Sequence, residues 1–474
     1  MCLTLHHMPK ARKRRIFLTQ IQSPSPSLYR QIAKLTVPIV LQNLLSAAVN
    51  SADVVMLNFV GPEHISAVSL AAQYASVLFM VFYGLGTGAT MLCAQYYGKG
   101  DTRAIEVVEG IALRFSMAIS FAFAAAALAI PRLMMRAFTP NPQLIEIGAQ
   151  YLRNISVAYL CWGVIEVYLA VLRSIGRVAV STALNTVAFL LNILLNAVFI
   201  FGLFGAPKLG AAGVALATSI SRGVELILVL IVSARSKNIK LKPSLLFVRN
   251  RLLFRDFLRM AIPAMANDIV WGLAFSMYSV IIGQFLGDDM VAANSFASLV
   301  RNFGTILCFG VASAGGILLG QIIGENRMEQ AAVAAKKLMR LTVLSGAIGG
   351  AIILAAMPLV LRFANLTDTG KGYLRVMLLI NSYYVMGAAV NTTLIAGVFR
   401  AGGDSRFGFI CDSIVMWCYA VPLGFIAAAA LKLPPLWVYF LLCTDEFVKW
   451  PAVIRHYISR KWLKNITREG LFEQ

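Results

Sequence analysis

Apolar residues in this chain come in long blocks of bilayer length, separated by short polar stretches. The first block, LTVPIVLQNLLSAAVNSADVVMLNFV at 35–60, is about 26 residues of near-continuous apolar character, enough to cross a bilayer with some tilt. Gly61-Pro62-Glu63-His64 ends it in a tight turn. Further blocks follow at 65–92, 107–131, 149–172, 180–203, 211–234, 259–285, 291–319, 338–361, 373–398, 407–431 and 436–457. The pattern predicts an all-α polytopic fold with twelve transmembrane helices. The longest polar interruption, 234–256, lies in the middle and divides the helices into two sets of six. The expected organisation is a tail at 1–31, a first lobe at 32–235, a linker at 236–257, a second lobe at 258–459 and a tail at 460–474.

The two lobes repeat one another. Pro38 matches Pro263, and Phe59-Val60-Gly61 matches Phe285-Leu286-Gly287. Gln95-Tyr96-Tyr97-Gly98 matches Gln321-Ile322-Ile323-Gly324 at the end of each second helix. Tyr151-Leu152-Arg153 matches Tyr373-Leu374-Arg375, and Leu172-Arg173-Ser174 matches Phe399-Arg400-Ala401. An even number of helices per lobe makes both run the same way through the bilayer. They are then pseudo-symmetric parallel repeats about an axis along the membrane normal, a transporter design with its site between the lobes.

Composition agrees with the membrane reading. The chain is 59% hydrophobic and 13% charged, with a mean hydropathy of +0.75, against about 25% charged residues in a soluble domain. A net charge of +21 would suggest nucleic acid in a soluble protein, but here the charge follows one side of the membrane. About 32 Lys and Arg fall in the tails, inward loops and inner helix ends, and about 8 on the outward side. Only Arg222 and Arg301 remain within the membrane. Both termini and the central linker are therefore expected in the cytoplasm, in a multi-pass protein of the cell membrane. The basic N-terminus lacks the apolar core of a signal peptide and reads as a cytosolic tail. The expected partners are the lipid bilayer and small-molecule substrates, with no nucleic acid, and the chain is expected to act as a monomer.

Little in the sequence supports an enzyme. The histidines, His6, His7, His64 and His456, lie in tails, a turn or a helix end, so no intramembrane metal or acid–base cluster can be built on them. Apart from Cys2 the cysteines sit singly in apolar blocks without metal-ligand spacing. There is no G-x-x-x-x-G-K-[ST] loop for ATP. No metal, no cofactor and no catalytic residue is expected.

Charged residues inside the blocks are the candidates for function. Asp53 is the only ionisable group in the first block. A carboxylate there costs about 2.5–3.5 kcal/mol on insertion scales, so it is expected to face a cavity or a partner. Pro38, fifteen residues earlier, marks a helix able to bend, because proline removes a backbone hydrogen bond. Arg222 with Glu225, and Glu446 with Lys449, are spaced for local ion pairs near inner helix ends. Asp268 and Arg301 fall at the same depth on consecutive helices, roughly 15 Å in at 1.5 Å per residue. They are expected to pair, either as structure or as a second coupling or substrate site. Asp412 opposes Asn185 in the repeat and is a further candidate for that site, while Glu166 has no counterpart.

Several motifs resemble those of the multidrug and toxic compound extrusion (MATE) family of secondary transporters. They are P-I-V-L-Q-N from Pro38 with Asp53 following, A-Q-Y-Y-G-K-G-D from Ala94, L-R-S-I-G-R from Leu172, and N-I-L-L-N-A-V-F-I-F-G from Asn192. G-A-A-G-V-A-L-A-T from Gly210, F-R-A-G-G-D-S from Phe399 and S-R-K-W-L-K-N from Ser459 complete the series. The resemblance implies an alternating-access antiporter that exports amphipathic, often cationic, organic compounds and drugs, driven by inward Na⁺ or H⁺. It also implies a cation or proton site in the first lobe built from Asp53, Asn192, Asn196 and Thr218. Asn196 stands where many relatives carry a second acid, which leaves Asp53 the only acid of the set. In the family the bend at the proline has been linked to the state of that Asp. The main alternative, a lipid-linked oligosaccharide flippase of the same superfamily, would need a strongly cationic cavity to hold pyrophosphate. Arg222 and Arg301 alone do not supply one.

Overall fold

In the computed structural model, residues 26–236 and 239–471 are described. The basic tail through residue 25, on which the signal-peptide reading rests, lies outside them. Eleven of the described helices are long and apolar enough to cross a membrane, and no strand occurs among the described residues. The first half contains α1 (Pro26–Asn58), α2 (Pro62–Lys99), α3 (Thr102–Ala129), α4 (Pro142–Ser174), α5 (Val178–Phe201) and α6 (Ala211–Arg235). The second contains α7 (Arg251–Phe285), α8 (Asp288–Gly324), α9 (Met328–Phe363), α10 (Asp368–Phe399) and α11 (Ser405–Ala430).

The twelfth block is helical only in pieces, Pro435–Leu442, Asp445–Val448 and Trp450–Ile458, here together α12. The sequence predicts one continuous helix over 436–457, and the structure departs from that for local reasons. Pro451 has no N–H to give to the carbonyl four residues back. At the first break, Thr444 Oγ1 instead caps the Leu441 carbonyl at 2.6 Å. Asp445, Glu446 and Lys449 are all buried. Elsewhere the helices outrun their apolar blocks. α7, for example, begins at Arg251, where Asn250 caps the Leu253 N–H at 2.9 Å, inside the stretch expected to be linker.

Each half is organised around one buried helix. α4 packs against α2, α3 and α6, and α10 against α8, α9 and α12. The pairs α1–α5 and α7–α11 are likewise counterparts. Between the halves the packing is α1 on α8 and α2 on α7, again equivalent by the repeat, with α2 and α8 crossing at the centre. The crossing explains two glycines. A Cβ on Gly98 would stand 1.9 Å from the Gln321 carbonyl oxygen, and one on Gly324 1.9 Å from that of Gln95.

The same crossing is sealed by two reciprocal hydrogen bonds. Gln95 Nε2 donates to the Ala401 carbonyl at 2.7 Å, and Gln321 Nε2 to the Ser174 carbonyl at 2.8 Å. The chain after α12 adds a strap on this face. Gln95 Nε2 also donates to the Lys464 carbonyl (3.1 Å), and Gln95 Oε1 accepts the Ile466 N–H (2.8 Å). Arg468 holds Asp256 in a bidentate pair at 2.5 and 2.8 Å, and Trp462 is fully buried. This face, which carries the C-terminal residues, is termed the near side below.

Candidate functional site

In the first half the four residues of the expected constellation meet. Asn192 and Asn196 lie one turn apart on α5, facing Asp53 on α1 and Thr218 on α6. Asn196 Nδ2 donates to Asp53 Oδ1 at 2.6 Å and to Asn192 Oδ1 at 3.2 Å. Asn192 Nδ2 donates to Thr218 Oγ1 at 3.2 Å, and that hydroxyl donates to its own helix at the Val214 carbonyl. Asn196 is fully buried, yet its Oδ1 accepts no hydrogen bond among the described residues. Among the described residues no Lys or Arg forms an ion pair with Asp53. The arrangement is a carboxylate met by one amide N–H, beside an amide oxygen and a hydroxyl. Such hard oxygens suit a proton on the acid or a small hard cation between them.

Pro38 sits well down α1 toward the near side. The helix passes through it without a break, and Thr182 Oγ1 at the start of α5 donates to the Pro38 carbonyl at 3.1 Å. In α7, Ser405 Oγ at the start of α11 donates to the Met260 carbonyl, three residues before Pro263, at 3.2 Å.

The second half corrects an expectation. Asp268 and Arg301 do not pair. Asp268 Oδ1 accepts from Arg400 Nη2 at 2.8 Å, and the same nitrogen reaches Asn267 Oδ1 at 3.0 Å. Asn267 Nδ2 continues to Asp412 Oδ2 at 2.6 Å. Lys449 Nζ then stands 2.9 Å from Asp412, 3.2 Å from Glu446 and 3.9 Å from Asp445. Asn391 Nδ2 donates to the other Glu446 oxygen, Tyr384 and Tyr278 donate to the Glu446 and Asp445 oxygens that face Lys449, and Asp445 Oδ1 accepts no hydrogen bond among the described residues. The Glu446–Lys449 pair is thus real but is part of a buried network running from α7 to α12. Arg301 instead lies over the rings of Phe275 at 5.1 Å and Tyr384 at 5.6 Å. Equal depth fixes height but not rotation about the helix axis, and here α7 and α8 turn the two charges to different neighbours.

The pair of Arg222 and Glu225 forms as spaced, at 2.7 Å, with the guanidinium over Trp162. Glu166 pairs with Arg173 at 2.7 Å. Sequence reasoning missed Arg400 and Asn267. Arg400 carried a signal, because the repeat aligns it with Arg173, and each of these arginines ties down an acid within its own half.

The family model described as MatE matches residues 38–198 and 263–426, so the two matched segments begin at the two equivalent prolines. The chain is 26% identical over 471 residues to "Uncharacterized transporter YisQ" of Bacillus subtilis (strain 168), covering 94% of this chain and 97% of that protein. It is 23% identical over 455 residues to "Probable multidrug resistance protein NorM" of Thermotoga maritima, covering 94% and 96%. Among solved structures, one described as "Outward-facing conformation of a multidrug resistance MATE family transporter of the MOP superfamily" superimposes with a TM-score of 0.82. That match is 20% identical and covers 93% of this chain and 97% of the other.

Proposed function

Since the chain belongs to the multidrug and toxic compound extrusion family, we propose that it is a secondary exporter of amphipathic organic compounds, cationic drugs among them, coupled to inward Na⁺ or H⁺. The observation that carries the coupling is Asp53, an intramembrane carboxylate that accepts an amide N–H and has no ion-pair partner among the described residues. As its surroundings alternate between wet and dry, such a group can take up a proton or a cation on one side and release it on the other. The near side is assigned to the cytoplasm by the excess of Lys and Arg there. On this assignment the Gln95 and Gln321 seals close the cytoplasmic face, and export requires them to part and re-form.

The test is efflux of a cationic dye from cells and its uptake into inverted vesicles, with pH and Na⁺ gradients imposed separately. Asp53→Asn keeps size and hydrogen-bonding capacity and removes the charge. The expected outcome is normal insertion and retained dye binding with loss of the gradient response. A variant that responds to either gradient as the wild type does would remove Asp53 from the coupling step.

A further inference from the structure

The second half contains a cavity of about 280 Å³ that lies apart from the Asp53 site. Phe275, Tyr278, Tyr384 and Tyr439 supply aromatic walls, Glu446 lines it at the α12 side, and Arg301 opens into it from α8. The exposed residues of the lining, Trp271, Ser279 and Asn302, form its mouth.

Arg301 is unlike every other arginine or lysine found deep in the fold. Arg222, Arg400 and Lys449 each hold at least one carboxylate within 4 Å. Arg301 holds none among the described residues and makes only ring contacts, over Phe275 and Tyr384. Of the nearby acids, Glu446 takes Lys449, Asn391 and Tyr384. Asp445 takes Tyr278 on Oδ2, with Lys449 3.9 Å from the same oxygen, and its Oδ1 is buried without a hydrogen bond among the described residues. The guanidinium lies over the two rings, and its N–H fork has no protein acceptor among the described residues. Ring faces attract a cation only weakly compared with an anion, and an arginine fork matches a carboxylate or sulfonate in a bidentate manner.

We propose that this cavity binds the anionic end of small flat aromatic acids, carboxylates or sulfonates, with Arg301 as the anion-holding residue. Its volume falls just below the roughly 300–1,000 Å³ usual for drug-sized ligands, which points to one or two rings. The rings pack against Phe275 and Tyr384 while the acid group takes the fork. The binding stands on the geometry alone. Only its use, as the place where an acidic or zwitterionic substrate docks, rests on the export reading.

The test uses the full-length protein in detergent and three matched probes: naphthalene-2-sulfonate, neutral 2-naphthamide and cationic 2-naphthylmethylammonium. Calorimetry on the wild type should rank the sulfonate about tenfold or more above the ammonium, the scale of one charge-assisted bidentate contact. Sulfonate binding should quench Trp271, and the quench should vanish in Trp271→Phe. Arg301→Gln should lose about tenfold in sulfonate affinity, keep naphthamide binding as its check on folding, and recover part of the loss as Arg301→Lys. Ammonium binding equal to or tighter than sulfonate in the wild type overturns the proposal, as does a sulfonate preference that survives Arg301→Gln. Failure of the export reading shows separately, as absent gradient-driven efflux with probe binding intact.

Discussion

The two halves share a fold and a repeat, and each ties an acid to an arginine, but their candidate sites treat buried charge in opposite ways. In the first, Asp53 stands without a cation and leans on the amides of Asn196 and Asn192 and, through them, on Thr218. In the second, Asp268, Asp412, Asp445 and Glu446 are held by Arg400 and Lys449, covalently attached cations that occupy the space a mobile one would need. A mobile ion competes poorly with an ammonium already in place at 2.9 Å from Asp412. The Asp53 site is therefore built to change its charge state, and the network of the second half to keep its own.

The largest effect expected from this contrast is the loss of Lys449. Lys449→Met strips the one cation shared by Asp412, Asp445 and Glu446, in a side chain only 1% exposed. Breaking a buried pair typically costs about 3–5 kcal/mol, because the partner's charge is left uncompensated. Size-exclusion profiles and thermal melts should show little folded protein, and adding Asp412→Asn and Glu446→Gln should restore part of it. A single Lys449→Met that melts near the wild-type temperature would mean that the network is not a permanent ion cluster.

How much of this was legible beforehand differs between the halves for a physical reason. Eleven helices could be read because lipid demands long apolar runs, and the repeat fixed their order. The set around Asp53 could be read because its polar residues are few, and Asn192 and Asn196, four apart on one helix, must share a face. The network in the second half is assembled from α7, α10, α11 and α12, so helix rotation decides which charges meet. Asp268 found Arg400, some 130 residues away, in place of its neighbour in depth, Arg301. The break in α12 was hidden because Val438 to Val448 is apolar enough to pass for helix until the buried acids at 445 and 446 are given partners.

A smaller, graded asymmetry is expected at the near-side seal. Gln95 and Gln321 are equivalent by the repeat, yet Gln95 makes three cross-links and Gln321 one. Gln95→Leu strands the Ala401 and Lys464 carbonyls and the Ile466 N–H, at about 1–3 kcal/mol for each group that stays buried and unpaired. It should lower the melting temperature more than Gln321→Leu does, and it should make a cysteine placed at the buried Ala401 reactive from the near side. Equal effects in the two variants would show that the strap after α12 adds nothing to the crossing of α2 and α8.

The smallest expected change is a gain of ion response in the first half. Asn196→Asp puts a second carboxylate where an amide now donates to Asp53 at 2.6 Å. The substituted side chain no longer offers an N–H, so two acids face each other and need either a shared proton or a cation between them. A cation bound only by the folded protein stabilises it by mass action, by about 2.7 kcal/mol when present at a hundred times its Kd. Melting temperatures measured in NaCl against an equal concentration of choline chloride should therefore rise more steeply with Na⁺ in Asn196→Asp than in the wild type. The same substitution in the Asp53→Asn background should show no such rise, since one carboxylate is then exchanged for the other. A Na⁺ response unchanged by Asn196→Asp would mean that access or site size, and not the number of charges around Asp53, limits cation binding in this half.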